Sequence, residues 1–205
     1  MYKVFKQVIP QDTLSYLQDY TLFVKELTEF YQGKPKSNGS GKYWQGVDMA
    51  SSLPLATDIQ NQTLFDIYTS DWMFKLVTQF IPKPYLYNDQ IVVKMPGEEF
   101  EFQSHTDNQF GPLKEDKTLV TQNFMMILDD FTQDNGALKV RGTTQWQELL
   151  PKAGDIVMIE GNTPHYSGKN KSNKPRRVYL CHYADRPMGK DFQSGFYYQE
   201  FNGSS

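Results

Sequence analysis

The stretch FEFQSHTD, residues 100–107, carries the clearest strand pattern in the chain. Alternation with period two puts Phe100 and Phe102 on one face and sends four polar residues to the other: Glu101, Gln103, His105 and Asp107. An apolar outer face and a polar inner face are what a barrel with a polar interior site requires. His105 and Asp107 then point the same way, so both side chains can bind one metal ion.

The segments around this strand predict the fold class. Six short β-rich runs alternate with turn signals: residues 90–95, 99–107, 119–128, 137–141, 155–159 and 177–183. Before Pro84, apolar residues at three- and four-residue steps predict helices over 13–31 and about 63–80. Helices followed by closely spaced strands favour an α+β, mainly β chain with a sandwich or barrel.

Length and composition narrow the function. The 205 residues suit one domain, which we divide into a helical part (1–84), a β core (85–185) and a C-terminal flap or tail (186–205). A net charge of −3 offers no basic surface for nucleic acid. The single cysteine, Cys181, excludes an internal disulfide and a thiolate metal cluster. No apolar run reaches the ~18 residues of a membrane span, so we expect a cytoplasmic protein.

The chain contains three histidines, His105, His165 and His182. His-x-Asp by itself is also compatible with an ordinary polar strand end. A distant second histidine would complete a set of two imidazoles and one carboxylate, which leaves coordination positions open in non-haem Fe(II) oxygenases. Nitrogen and oxygen ligands without thiolate favour Fe(II) as the metal.

The segment HYSGKNKSNKPRRVYLCHYA, residues 165–184, adds spacing information. Ser167, Asn170 and Arg176 follow His165 by two, five and eleven residues. Here the sequence resembles the phytanoyl-CoA dioxygenase family of Fe(II)/2-oxoglutarate oxygenases. The resemblance extends to residues 87–97, to the His-x-Asp strand, and to residues 128–140 and 153–165, in the family's order.

The resemblance implies a double-stranded β-helix (jelly-roll, cupin-like) core with N-terminal helices packed on one sheet. It implies Fe(II) held by His105, Asp107 and His165, with 2-oxoglutarate and O2 at the remaining positions. Arg176 and Ser167 would bind the far carboxylate of 2-oxoglutarate. An aspartate at residue 107, where related halogenases have a small residue, favours hydroxylation of a small organic molecule.

Other residues near these motifs have two interpretations each. Lys94 is assigned to cosubstrate binding, with a surface lysine at a strand end as the alternative. Of the neighbouring pair Met125 and Met126, Met126 is assigned to the cosubstrate. His182 is interpreted as a hydrogen-bonded structural histidine. Strand alternation sends Arg176 and Arg177 to opposite faces, and the spacing from His165 favours Arg176 inward and Arg177 outward.

Two other classes of function remain open from the sequence. A cupin-like metal-dependent enzyme can use the same three ligands without 2-oxoglutarate. A non-catalytic jelly roll can bind a metabolite without using a metal at all. The sequence contains no signal for an oligomeric state.

Overall fold

The computed structural model describes residues 1–32, 36–37, 42–45, 62–97, 101–109, 111–187 and 199–200. Within these residues the structure is mainly β, with few helices. The strands are β1 (Tyr2–Phe5), β2 (Lys36–Ser37), β3 (Lys42–Gln45), β4 (Tyr85–Lys94), β5 (Phe102–His105), β6 (Thr121–Ile127), β7 (Leu138–Arg141), β8 (Trp146–Leu149), β9 (Ile156–Glu160), β10 (His165–Ser167), β11 (Arg176–Ala184) and β12 (Gln199–Glu200). The helices are α1 (Gln11–Gln32), α2 (Gln62–Tyr68) and α3 (Asp71–Val77).

The strands form two antiparallel sheets. The large sheet has the order β1-β9-β6-β11-β4-β3-β2, and β12 also pairs with β4. The small sheet has the order β5-β10-β7-β8. Consecutive strands from β4 to β6 alternate between the two sheets, so the chain repeatedly crosses from one layer to the other.

Two apolar clusters show how the layers pack. One cluster combines residues of both sheets, such as Val178 and Met125 from the large sheet with Val140 from the small one. The other combines the opposite face of the large sheet, including Tyr179 and Cys181, with side chains of all three helices. Successive residues of β11 thus contribute to opposite clusters, as the period-two alternation of a strand requires.

Helix α1 covers the predicted range 13–31 and buries Leu14, Leu17 and Tyr20 against the large sheet. The single helix predicted over 63–80 is instead two helices that break at Thr69 and Ser70. Ser70 caps α3 because its hydroxyl oxygen accepts a hydrogen bond from the Met73 amide at 3.4 Å, and the same hydroxyl donates to the Ile67 carbonyl. The local hydrogen bonds of this serine compete with a continuous helix.

Six strands of the structure were not predicted from the sequence: β1, β2, β3, β8, β10 and β12. Strands β1, β2 and β3 lie within the part predicted to be helical, and β1 pairs along its whole length with β9. Most of the predicted C-terminal flap, residues 186–205, lies outside the described residues. Within the described part of the chain, no helix combines the length and apolar character needed to cross a membrane.

Candidate metal centre

Two imidazoles and one carboxylate converge where β5 meets β10. His105 lies opposite His165 in the pairing of these strands, with ring centroids 4.3 Å apart. Asp107 begins the one-turn 3₁₀ helix that follows β5. Its Oδ1 lies 3.8 Å from Nε2 of His105 and 3.6 Å from Nε2 of His165. One ligand atom from each residue lies within 4.8 Å of the others, which is close enough to hold a single metal ion.

Backbone carbonyls fix the orientation of both rings. Nδ1 of His105 lies 2.7 Å from the Gln103 carbonyl oxygen, and Nδ1 of His165 lies 2.9 Å from that of Thr163. Because a carbonyl only accepts, each Nδ1 carries the proton and each Nε2 keeps its lone pair toward Asp107. Metal-binding histidines are usually oriented in this way.

The charge states of His105 and Asp107 suit a metal site. Burial lowers the pKa of His105, and the neighbouring His165 lowers it further. Burial acts to raise the pKa of Asp107, but the imidazoles of His165, His182 and His105 and a hydrogen bond from Asn123 hold it below its usual value. At neutral pH these two residues therefore offer a nitrogen lone pair and a carboxylate.

A β-bulge changes the predicted faces of β5. His165 of β10 pairs with His105 of β5. Ser167 lies two residues later in β10, but it pairs with Phe102, which lies three residues earlier in β5. The extra residue on β5 lets Phe102 pack against the cluster between the sheets while His105 still turns toward Asp107. Strict alternation, which put Phe102 on the outer face, was therefore wrong for this residue. Gln103 is exposed and donates to Glu101.

A buried polar contact anchors the turn that carries Asp107. The Thr121 hydroxyl donates to Oδ1 of Asn108 at 2.6 Å, and the Asn108 amide donates to the Gly161 carbonyl at 3.0 Å. A Cβ on Gly161 would lie 1.9 Å from Oγ1 of Thr121 and 2.4 Å from Oδ1 of Asn108. Residue 161 must therefore be glycine for Asn108 and Thr121 to keep these positions.

Asn123 of β6 contacts the outer oxygen of the carboxylate. Its Nδ2 donates to Oδ2 of Asp107 at 3.3 Å, while Oδ1 of Asp107 faces the histidines. Asn123 was not predicted as a functional residue, although its position directly before the apolar run 124–128 was a usable signal.

The face of Asn123 corrects the assignment of Met126. Met125, two residues from Asn123, belongs to the cluster between the sheets, whereas Met126 belongs to the cluster under the helices. Every residue of β6 is buried, so the hydrophobicity of its side chains does not distinguish the face between the sheets from the face under the helices. Met125, not Met126, lies on the side of the metal centre.

Arg176 is a buried cation at the start of β11. Its side chain is 3% exposed, Nη1 donates to the Gly136 carbonyl at 3.2 Å, and the guanidinium lies 4.6 Å from the Phe131 ring centroid. Its Nε has no hydrogen-bond partner, and no carboxylate of the described residues forms an ion pair with it. Burial lowers its pKa to about 10, so the group stays charged at neutral pH.

Arg177 leaves β11 on the opposite face, as alternation predicts. Its Nε and Nη2 donate to the two oxygens of Asp129 at 2.7 and 2.6 Å, and Nη1 donates to the Gln18 carbonyl of α1. Asp130 pairs with Lys152. Asp129 and Asp130 each therefore have a basic partner.

Lys94 lies beside Arg176, opposite it in the pairing of β4 with β11. It is fully buried, and its Nζ donates to the carbonyl of Ser167 at 3.0 Å and to that of Gly168. The surface alternative for Lys94 is therefore wrong. Lys94 positions the end of β10, which is the strand that carries His165.

Ser167 connects the metal ligands with the buried cations. It shares the interior face of β10 with His165, while Tyr166 between them contacts Trp146. Two residues along a strand span about 6.5 Å. Ser167 is buried, and the next residue, Gly168, lies against Gly136, the partner of Arg176. Ser167 thus lies between His165 of the ligand set and the turn that contacts Arg176.

Nε2 of His182 has no hydrogen-bond partner although the residue is buried, with only 5% of its surface exposed. It lies opposite Asn123 in the pairing of β11 with β6, and its ring meets Tyr87 edge to face at 5.8 Å. Burial lowers its pKa to about 4. The prediction of a hydrogen-bonded structural histidine was therefore wrong for this nitrogen.

Three solved structures with a similar fold are distant from this chain in sequence. The chain is similar to the non-haem α-ketoglutarate-dependent carbocyclase SnoK from nogalamycin biosynthesis, with a TM-score of 0.66 and 15% identity over 93% of this chain and 83% of that chain. EvdO2 from Micromonospora carbonacea var. aurantiaca, solved with 2-oxoglutarate, has a TM-score of 0.60 and 15% identity over 93% of this chain and 88% of that chain. EctD from S. alaskensis, solved with bound Fe, has a TM-score of 0.65 and 14% identity over 89% of this chain and 72% of that chain. At these identities the likeness shows the fold alone.

A search of curated proteins found no match. The model of the family described as phytanoyl-CoA dioxygenase (PhyH) matches residues 58–146 and 139–178. The matched residues make up more than half of the chain and include His105, Asp107, His165 and Arg176. The chain therefore belongs to the phytanoyl-CoA dioxygenase family.

Proposed function

We propose that this protein is an Fe(II)- and 2-oxoglutarate-dependent dioxygenase that hydroxylates a small organic molecule, with 2-oxoglutarate converted to succinate and CO2. The observation that carries the proposal is the buried guanidinium of Arg176, whose Nε is unpaired and which forms no ion pair with a carboxylate of the described residues. A buried charge without a counter-charge is unfavourable, so this arrangement favours an anionic ligand.

The fold supports this assignment as a single jelly-roll domain. The strand orders β9-β6-β11-β4 and β5-β10-β7-β8 are those of two interleaved four-stranded sheets, with the chain crossing between them. In this interpretation α1, α2 and α3 cover the outer face of the large sheet. The site then lies between the sheets.

The donor set fits Fe(II). His105 and His165 offer Nε2 lone pairs, and Asp107 offers Oδ1 as an anion. Nitrogen and oxygen ligands with three coordination positions left open are typical of iron that must also bind a chelating cosubstrate and dioxygen.

The remaining groups fit the far carboxylate of 2-oxoglutarate. Arg176 offers a buried guanidinium whose Nε is unpaired, and the fork of an arginine matches a carboxylate. Ser167 lies on the interior face between Arg176 and the ligands. Lys94 places a buried amine beside the Arg176 guanidinium, and this amine donates hydrogen bonds to the carbonyls of residues 167 and 168.

Iron with 2-oxoglutarate and dioxygen supplies the oxidising power for an unactivated C–H bond. The residues of this chain orient the reactants: Gln103 and Thr163 fix the two imidazoles, and Arg176 sets the direction of the diacid. The carboxylate of Asp107 occupies one coordination position, which disfavours halide binding there and favours hydroxylation over halogenation.

The test is an anaerobic titration of the protein with Fe(II) and 2-oxoglutarate, followed by visible absorption and calorimetry. We expect the weak charge-transfer band of the chelate in the wild-type protein. Arg176→Met should weaken 2-oxoglutarate binding by about 2 kcal/mol or more, because a charge-assisted contact is lost. Arg177→Met is the matched control, since this neighbour points to Asp129 and α1.

The two alternative classes predict other results. A metal-dependent enzyme without 2-oxoglutarate would develop no chelate band and would be indifferent to Arg176→Met. A non-catalytic binding protein would keep its ligand affinity in His105→Ala and Asp107→Ala. Succinate formation stimulated by one member of a metabolite panel would identify the substrate class.

A further inference from the structure

His182 is a buried histidine with an unsatisfied ring nitrogen next to the ligand set. Nε2 is inaccessible to solvent and lacks a hydrogen-bond partner, and the whole residue is 5% exposed. Most buried polar atoms in proteins have partners, so an orphaned nitrogen calls for an explanation. Its position beside Asp107 suggests one.

The sheet register sets the direction of the His182 side chain. His182 and Asn123 are direct partners across β11 and β6, so their side chains stand side by side on the same face. Asn123 already donates to Oδ2 of Asp107 at 3.3 Å. Tyr87 packs edge to face on the His182 ring at 5.8 Å, and its hydroxyl is hydrogen-bonded with Thr121. The ring is thus held beside the asparagine that contacts the outer oxygen of the carboxylate.

The electrostatics agree with this proximity. The pKa of Asp107 is lowered by the imidazole of His182 as well as by those of His165 and His105. Burial keeps His182 neutral at neutral pH, with its pKa at about 4, so the ring carries one N–H.

We propose that His182 is a positioning residue, which donates an Nε2–H hydrogen bond to Oδ2 of Asp107 when His105, Asp107 and His165 hold a metal ion. The inference rests on the proposed function for the presence of the metal. Oδ1 then faces the metal, and Oδ2 accepts from both Asn123 and His182. Such outer contacts fix the rotation of a carboxylate ligand, and their loss typically weakens metal binding about 10- to 100-fold.

Cobalt(II) binding to the metal-free full-length protein tests this role, measured by calorimetry and by the visible absorption of the bound ion. We expect His182→Phe to lower Co²⁺ affinity at least about tenfold. His182→Gln should restore most of the affinity, because its amide can donate near the position of Nε2. Cys181→Ala is the matched control, since Cys181 is buried on the opposite face of β11. The Co²⁺ affinity of this variant should equal that of the wild type.

A second pair of variants separates direct contact from contact through Asn123. If His182 donates to Asp107 itself, His182→Phe will also lower the affinity in an Asn123→Leu background. No further loss in that background would overturn the inference, and so would an unchanged affinity in His182→Phe alone. Failure of the wild-type protein to bind Co²⁺ or Fe²⁺ would instead reject the proposed function. Thermal unfolding of each metal-free variant reports the fold separately from metal binding.

Discussion

The carbonyl oxygen of Gly136 accepts a hydrogen bond from Nη1 of Arg176 at 3.2 Å. Gly136 can hold this position because its backbone has φ +78°, a left-handed conformation at the end of a short 3₁₀ helix. Strands β6 and β7 on either side of this turn belong to different sheets, so the turn connects the two layers.

Gly136→Ala is expected to reduce both stability and cosubstrate affinity. A left-handed conformation costs a non-glycine residue about 1–2 kcal/mol. In addition, the new Cβ would lie 2.3 Å from the Gly168 carbonyl oxygen, so Gly136 must shift away from Arg176 or displace the end of β10. Urea denaturation and 2-oxoglutarate titration measure the two effects.

Gly97→Ala is the matched control for that substitution. Gly97 has a similar φ of +71°, but a Cβ there would meet no atom within 4 Å. It should show the backbone penalty and normal cosubstrate binding. If Gly97→Ala and Gly136→Ala lose equal amounts of stability and of 2-oxoglutarate affinity, the structural role assigned to the contact between Gly136 and Gly168 is contradicted.

The ligand set could be predicted from the sequence because its chemistry is specific. Histidine is rare in this chain, and the structure brings the ligand atoms of His105, Asp107 and His165 together. The interior position of Arg176 was predicted from its spacing after His165 together with the alternation of a strand.

Other features could not be predicted because they depend on contacts between distant segments. The bulge in β5 arises from its pairing with β10, a strand of three residues that is too short to recognise from alternation. The choice between Met125 and Met126 failed because β6 is buried on both faces. Strand β1 is specified by its partner β9, and its own four residues show no clear pattern.

Gly161→Ala is expected to weaken metal binding more than it lowers stability. The added Cβ would collide with the hydrogen-bonded side chains of Thr121 and Asn108, and Asn108 directly follows Asp107. Overpacking of this kind typically costs about 1–3 kcal/mol of stability. Displacement of the turn would also move the carboxylate relative to the imidazoles, so Co²⁺ affinity should fall.

Gly168→Ala provides the comparison for Gly161→Ala, since a Cβ at residue 168 meets no atom within 4 Å. Calorimetric titration with Co²⁺ and thermal unfolding should find it close to the wild type in both. If Gly161→Ala also binds Co²⁺ normally, the turn after Asp107 does not depend on the packing at Gly161.

Asp89 is a buried carboxyl on the helix side of β4, and it predicts a pH dependence of stability. Oδ2 accepts a hydrogen bond from the Tyr179 hydroxyl at 2.6 Å, whereas Oδ1 has no partner, and the residue is 1% exposed. Burial raises its pKa from 3.8 to about 6. The folded state therefore holds this proton more tightly than the unfolded state does.

The contribution of Asp89 to stability consequently falls as pH rises from about 4 to about 6, and the carboxylate remains destabilising above that range. Since one pKa unit corresponds to about 1.4 kcal/mol, Asp89→Asn should stabilise the protein at pH 8 by up to about 3 kcal/mol. The same substitution should have little effect at pH 4, where the folded protein carries a neutral carboxyl. Denaturant unfolding of the metal-free protein across this pH range gives both numbers. Asp116→Asn, at an exposed residue paired with Thr118, should produce no such gain. Parallel curves for Asp89→Asn and the wild type between pH 4 and 7 would mean that Asp89 is ionised in the folded protein without cost.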